Sequence, residues 1–125
     1  MPSESISPRR GDVVRVKFDP TEGSEQAGER PAIVISPDFI NERAPIVIVV
    51  PLTSRKTEHP FAHEALIEPP DGGIPKRSKA MLIHMRGIDK LRIIATYGSI
   101  SAETMSRVEE ALKIATGLTP LDANV

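Results

Sequence analysis

Apolar residues in this chain come in short, β-branched runs cut by proline, glycine or charge: Val13-Val14-Arg15-Val16-Lys17-Phe18, Ala32-Ile33-Val34-Ile35-Ser36 and Ile46-Val47-Ile48-Val49-Val50. Valine and isoleucine lose side-chain freedom in a helix but pack well on a pleated surface. Runs of this length match strands rather than helices. The chain therefore has to build its core from a sheet, and a helical bundle is excluded for most of its length. Strands are expected at about 11–18, 32–36, 45–52, 62–68, 79–85 and 90–97, the last two separated by Gly87. The most apolar of them, 45–52, should be central and fully buried.

Punctuation between the runs supports this order. Pro69-Pro70-Asp71-Gly72-Gly73 is a strong turn signal. Ser36-Pro37-Asp38 offers an N-cap, a proline at the first helical position and an acid in the first turn, so one short helical turn is expected there. The only long helical period comes late. Ser101 caps it, Met105, Val108, Leu112 and Ala115 share one face, and Gly117 ends it. Five to seven short strands with a C-terminal helix predict an α+β chain built on a small twisted β-barrel. With 125 residues and no linker, one domain is expected: 10–118, between a disordered tail at 1–9 and a C-terminal tail at 119–125.

Composition narrows the function. There is no cysteine, so thiolate catalysis, disulfides and Cys-ligated zinc are excluded. No secretory leader is apparent at the N-terminus, and no apolar run is long enough to span a bilayer. A cytoplasmic setting is the expectation. The formal net charge of −1 argues against a non-specific polyanion binder. Yet Lys76, Arg77, Lys79, Arg86, Lys90 and Arg92 cluster against the single acid Asp89. That segment could neutralise several phosphates of a short strand, or simply form solvated strand edges.

Between the first two strands lies a polar loop, Asp19-Pro20-Thr21-Glu22-Gly23-Ser24-Glu25-Gln26-Ala27-Gly28-Glu29-Arg30-Pro31. A connection of this length without a core residue is more often functional than a mere linker. It places Arg30 just before a rigid strand entry. Gly11-Asp12-Val13-Val14, Asp19-Pro20-Thr21 and Gly23 to Ala32, followed by Val49-Val50-Pro51-Leu52-Thr53-Ser54, resemble the motifs of the MazF/PemK toxin family. The likeness runs from about Arg10 to Leu118. It implies an SH3-like barrel of the CcdB/MazF/PemK type and the toxin of a type II toxin–antitoxin system. It further implies a homodimeric, metal-independent, sequence-specific endoribonuclease of the mRNA-interferase kind, with single-stranded RNA as substrate, a cognate antitoxin as partner and no cofactor.

Cleavage of that kind uses the substrate's own 2'-hydroxyl as nucleophile. The protein must move two protons and stabilise charge on the phosphoryl oxygens. Arg30 suits the last task, because its fork matches a phosphate and stays charged. Thr53 offers a fixed hydroxyl at a strand end. The resemblance makes these two the catalytic pair; Glu25 matches a family glutamate near the site and is a candidate to accept a proton or orient Arg30, against the ordinary reading of a solvated loop carboxylate. The bland alternatives are an ion pair of Arg30 with Glu25 or Glu29, and a hydroxyl of Thr53 bonding backbone.

Many family members carry Asp-Gln where Ile83-His84 stands here. His84 is consequently a candidate general acid or base, against the ordinary reading of a strand histidine. Ser54, Arg55, Lys56, Lys76, Arg77, Lys79 and Arg86 are the candidate RNA contacts. His59-Pro60-Phe61-Ala62-His63-Glu64 lacks the helical spacing of a zinc motif and is rejected as a metal site. Of Phe18, Phe39, Phe61 and Tyr97, three or more are expected in the core. Two other readings stay open: a gyrase-directed toxin of CcdB type, disfavoured by the absence of tryptophan, and a barrel that binds RNA or protein without cleaving.

Overall fold

Val13, Ile33 and Val50 sit in one buried cluster, while their chain neighbours Val14, Ala32, Val34 and Val49 sit in another. Successive side chains of a strand point to opposite faces, so the middle of the sheet is covered on both sides. This double burial explains why the strands read as continuous apolar runs rather than clean alternations. The run at 45–52, expected to be fully buried, is so only from Val49 on, because Ile46 and Ile48 are 46% and 38% exposed. Each fully buried valine or isoleucine contributes about 1.5–3 kcal/mol of transfer free energy. The computed structural model describes residues 7–18 and 28–121.

Seven strands form the sheet: β1 (Asp12–Phe18), β2 (Gly28–Val34), β3 (Ile46–Thr53), β4 (Glu64–Ile67), β5 (Ser78–Met81), β6 (Arg86–Asp89) and β7 (Ile93–Ser99). Their order is β4-β5-β3-β2-β1-β7, all pairs antiparallel, with β6 also pairing β3. Residues of β1 and β4, well separated in this order, meet in one core, so the sheet curls on itself. Among the described residues no ladder joins β4 to β7. The expected small barrel is thus present as a curled sheet whose rim stays open.

The expected strand at 79–85 is cut short. A 3₁₀ turn at Leu82–His84 separates β5 from β6, letting the two run along successive stretches of β3. Gly87, read as a separator, lies inside β6 opposite Ile48. A Cβ there would come 3.0 Å from Ile46 Cγ2, which is why so short a strand can lie close to β3. A second 3₁₀ turn, Lys90–Arg92, delays β7; Asp89 caps it by accepting from Leu91 N at 2.9 Å.

The short helix α1 (Asp38–Arg43) has no side-chain cap. Ser36 is buried instead: its hydroxyl donates to Asn41 and accepts from Ile48 N at 3.0 Å, tying α1 to β3. The late helix α2 (Ala102–Ala115) follows its sequence signals. Ser101 Oγ accepts from Thr104 N at 3.1 Å, and Val108 and Ala111 enter the first cluster with Met105, Leu112 and Ala115 packed beside them. Pro8 is buried and Arg9 N donates to Asp12 at 2.9 Å, so both belong to the packed fold rather than to a tail. Phe18 alone of the four aromatics is core; Phe39 and Phe61 are 67% and 65% exposed and Tyr97 is half-buried. Three or more of the four were expected in the core and only Phe18 is there, so aliphatic residues supply nearly all of the packing.

Candidate functional site

Strand pairing places the candidate residues. The β2–β3 ladder pairs Ala32 with Pro51, and the same register continued past its end sets Arg30 opposite Thr53. On the other side of β3, Thr53 pairs with Lys79 of β5. Directly opposed residues of antiparallel strands project from the same face. Arg30, Thr53 and Lys79 therefore form a row across three strands.

Arg30 was expected in the loop, one residue before the strand. It lies inside β2, opposite Val16 of β1. The strand begins early because β1 continues to Phe18, which pairs with Gly28, whose φ of +86° suits glycine. Pro31 is tolerated because β3 does not yet pair with β2 at that position. Arg30 thus has a strand's rigidity.

Two adjoining cavities meet at this row. One of about 370 Å³ is bordered by Glu29 and Arg30 on β2, by Thr53, Ser54 and Arg55 at the end of β3, and by Ile74, Lys76 and Tyr97. The other, about 130 Å³, is bordered by Arg30, Thr53, Arg55, Lys56, Glu64, Lys79 and Met81. Arg30, Thr53 and Arg55 are common to both. The turn Asp71–Gly73 shapes the larger cavity by bringing Ile74 against β7: a Cβ on Gly73 would fall 2.2 Å from Tyr97 O.

Thr53 Oγ1 accepts from Arg55 N at 3.2 Å. The backbone-bonded alternative is therefore present, and it fixes the hydroxyl oxygen while leaving its proton available to an incoming acceptor. Glu29, one suggested partner of Arg30, is taken by Arg15 at 2.9 Å. Glu25, the other, lies outside the described residues. No described carboxylate forms an ion pair with Arg30. Lys56 adopts φ of +54°, an uncommon left-handed conformation for a long side chain, at the mouth of the smaller cavity.

The basic segment does not act as one patch. Arg77 pairs with Glu68 at 2.8 Å, Arg86 lies 5.0 Å over the Phe18 ring, and Arg92 donates to Lys17 O at 3.2 Å. None of these three borders either cavity, and neither does His84, which is exposed on its 3₁₀ turn. Ser54, Arg55, Lys56, Lys76 and Lys79 do. Lys79 is buried, with its ammonium 3.0 Å from Glu64. Nothing in the sequence marks Glu64, which stands in the stretch His59 to Glu64, because its partner Lys79 lies on another strand.

The chain is matched over residues 9–116 by a family model described as PemK-like, MazF-like toxin of type II toxin–antitoxin system. Among solved structures, MazF from Deinococcus radiodurans is 26% identical, with a TM-score of 0.75, covering 90% of this chain and 98% of that one. A MazE–MazF complex from the same organism is 28% identical, with a TM-score of 0.71 and coverages of 91% and 99%. An endoribonuclease from a mycobacterial species shares the fold at 21% identity, with a TM-score of 0.73 and coverages of 96% and 100%.

Proposed function

Because the chain belongs to the PemK-like, MazF-like toxin family of type II toxin–antitoxin systems, we propose that it is a cytoplasmic endoribonuclease cleaving single-stranded RNA at a short recognised sequence. The observation that carries this reading is the convergence of Arg30 and Thr53 on shared cavities. A scissile phosphodiester seated there meets a guanidinium fork and a hydroxyl donor, both fixed on strands. Developing charge on the phosphoryl oxygens is stabilised without reorganisation at the moment of reaction. The 2'-hydroxyl attacks, leaving a 2',3'-cyclic phosphate and a 5'-hydroxyl, and no metal takes part. Lys76, Ser54, Arg55 and Lys56 flank the pair and hold the adjoining nucleotides through phosphate and polar contacts.

The protein works as a homodimer restrained by a cognate antitoxin; a relative solved as a MazE–MazF complex supports that partnership. An acidic antitoxin segment laid over the cavities would compete with RNA for the same cations.

The test is incubation with a long mixed-sequence RNA in chelator, alongside Arg30→Ala and Thr53→Ala. Defined fragments with cyclic-phosphate ends, lost in both variants, are the expected result. Equal cleavage by all three proteins would remove the assignment.

A further inference from the structure

The proposed reaction needs a group to take the 2'-hydroxyl proton. Arg30 and Thr53 do not supply one, and His84 stands outside both cavities. Among the described residues two carboxylates border the cavities: Glu29, already paired with Arg15, and Glu64. The Glu64 side chain is 9% exposed, as is that of Lys79, its partner at 3.0 Å. Burying an ion pair is costly, and replacing one by apolar residues is often neutral or stabilising. A buried pair bordering the same small cavity as the proposed catalytic residues therefore calls for a functional account.

Geometry gives one. Thr53 pairs with Lys79 across β3 and β5, and Glu64 pairs with Met81 two positions along β5. All these side chains emerge on one face. Glu64 Oε1 accepts from both Lys79 Nζ at 3.0 Å and Phe61 N at 2.9 Å. Its Oε2 accepts from no described residue. One oxygen is thus anchored while the other remains free to take a proton.

We propose that Glu64 is the general base of this site and that Lys79 is its positioning residue. The inference rests on the RNA-cleavage reading above. In the step, the 2'-hydroxyl proton passes to Glu64 as the 2'-oxygen bonds to phosphorus and the bond from phosphorus to the 5'-oxygen breaks. The leaving 5'-oxygen takes a proton from water, and Glu64 returns its proton to solvent. The charged groups that face Glu64 are Lys79 on β5, Arg30 on β2, Arg55 and Lys56 after β3, and Arg107 and Glu110 on α2.

The experiment compares kcat, KM and pH–rate profiles on a defined RNA substrate for wild type, Glu64→Gln, Glu25→Gln, Lys79→Met and the double variant Glu64→Gln/Lys79→Gln. Thermal unfolding verifies folding, and the double variant leaves no unpaired buried charge. Expected are a kcat loss of about 10²–10⁴-fold in Glu64→Gln and in the double variant, with KM within about threefold. The acid limb of the kcat profile should disappear in Glu64→Gln. Lys79→Met should lower kcat with KM within about threefold, because Glu64 Oε1 loses the ammonium that anchors it, and Lys79→Arg should restore kcat.

Unchanged kcat and acid limb in a folded double variant would overturn the proposal while leaving wild-type cleavage standing. So would a rise in KM alone, or an acid limb abolished by Glu25→Gln instead. Wild type that cleaves no RNA would refute the underlying reading, and this inference with it.

Discussion

Arg15 and Glu29 meet at 2.9 Å across the β1–β2 ladder, and their pairing keeps the only described acid next to Arg30 in sequence away from it. Both side chains are nearly half exposed, so the pair adds well under about 1 kcal/mol to stability. Its consequence is electrostatic. Arg15→Gln frees Glu29, which borders the larger cavity, to compete with phosphate for the Arg30 fork. Cleavage should fall several-fold through a higher KM with the melting temperature nearly unchanged, and Glu29→Gln in the same background should restore it. Steady-state kinetics on one RNA substrate decides this; a loss not reversed by the second substitution would refute the competition.

Thr53 separates the role of a hydroxyl from that of a shape. Thr53→Ser keeps the oxygen that accepts from Arg55 N and should retain activity within about an order of magnitude. Thr53→Val keeps the β-branched outline but not the donor, and kcat should drop by about 10²–10³-fold. At a half-exposed strand end, unfolding free energy should change by less than about 1 kcal/mol in either case. Similar kcat values for the two variants would show that the hydroxyl does not touch the reacting phosphate.

Gly73 has φ of +73°, and a Cβ built there would lie 2.2 Å from the backbone oxygen of Tyr97. Since neither β7 nor the turn can yield without breaking contacts with the other, Gly73→Ala should lower unfolding free energy by roughly 2–4 kcal/mol. Gly117→Ala, at φ of +79° but with nothing within 4 Å of the added carbon, should cost clearly less. Urea denaturation of both variants measures the difference between a steric and a purely conformational penalty.

Local signals in the sequence were reliable wherever the determining contacts were local. Ser101 caps α2, and Gly117 follows it, because capping involves groups a few residues apart. Ile46–Thr53 reads as a central strand because its second half, Val49 to Leu52, is buried on both faces, whereas Ile46 and Ile48 are apolar yet exposed. What could not be read depends on distant pairing. Gly28–Pro31 joins β2 only because Phe18 extends β1 to meet it. The 3₁₀ turn at Leu82–His84 exists because β3 must serve two partners on one edge. The basic segment 76–92 looked like one patch, yet its cations are dispersed to Glu68, Phe18 and Lys17. At the candidate site, Arg30 and Thr53 stand out by their motifs, whereas the Glu64–Lys79 pair emerges only once β4 and β5 are paired.

Asp71 couples the turn before the larger cavity to the start of α2. It accepts from Ser101 N at 2.8 Å, from the Ser101 hydroxyl at 3.3 Å and from the Thr104 hydroxyl. Burial alone would raise its pKa, but the bonds from Thr104 and Ser101 outweigh that and hold the carboxyl below its ordinary 3.8. A carboxyl whose folded pKa lies below the unfolded one contributes stability that is fully present above the unfolded value and is lost as pH falls through the folded one. Asp71→Asn should therefore reduce unfolding free energy at neutral pH by about 1–2 kcal/mol, the worth of a charge-assisted hydrogen bond at a helix start. The gap between variant and wild type should narrow as pH drops below about 3.8, the unfolded value, because both proteins then lack the charge. Unfolding measured at pH 7 and near pH 3 tests this. A gap of equal size at both values would mean that Asp71 acts through packing alone, with its ionised form contributing nothing.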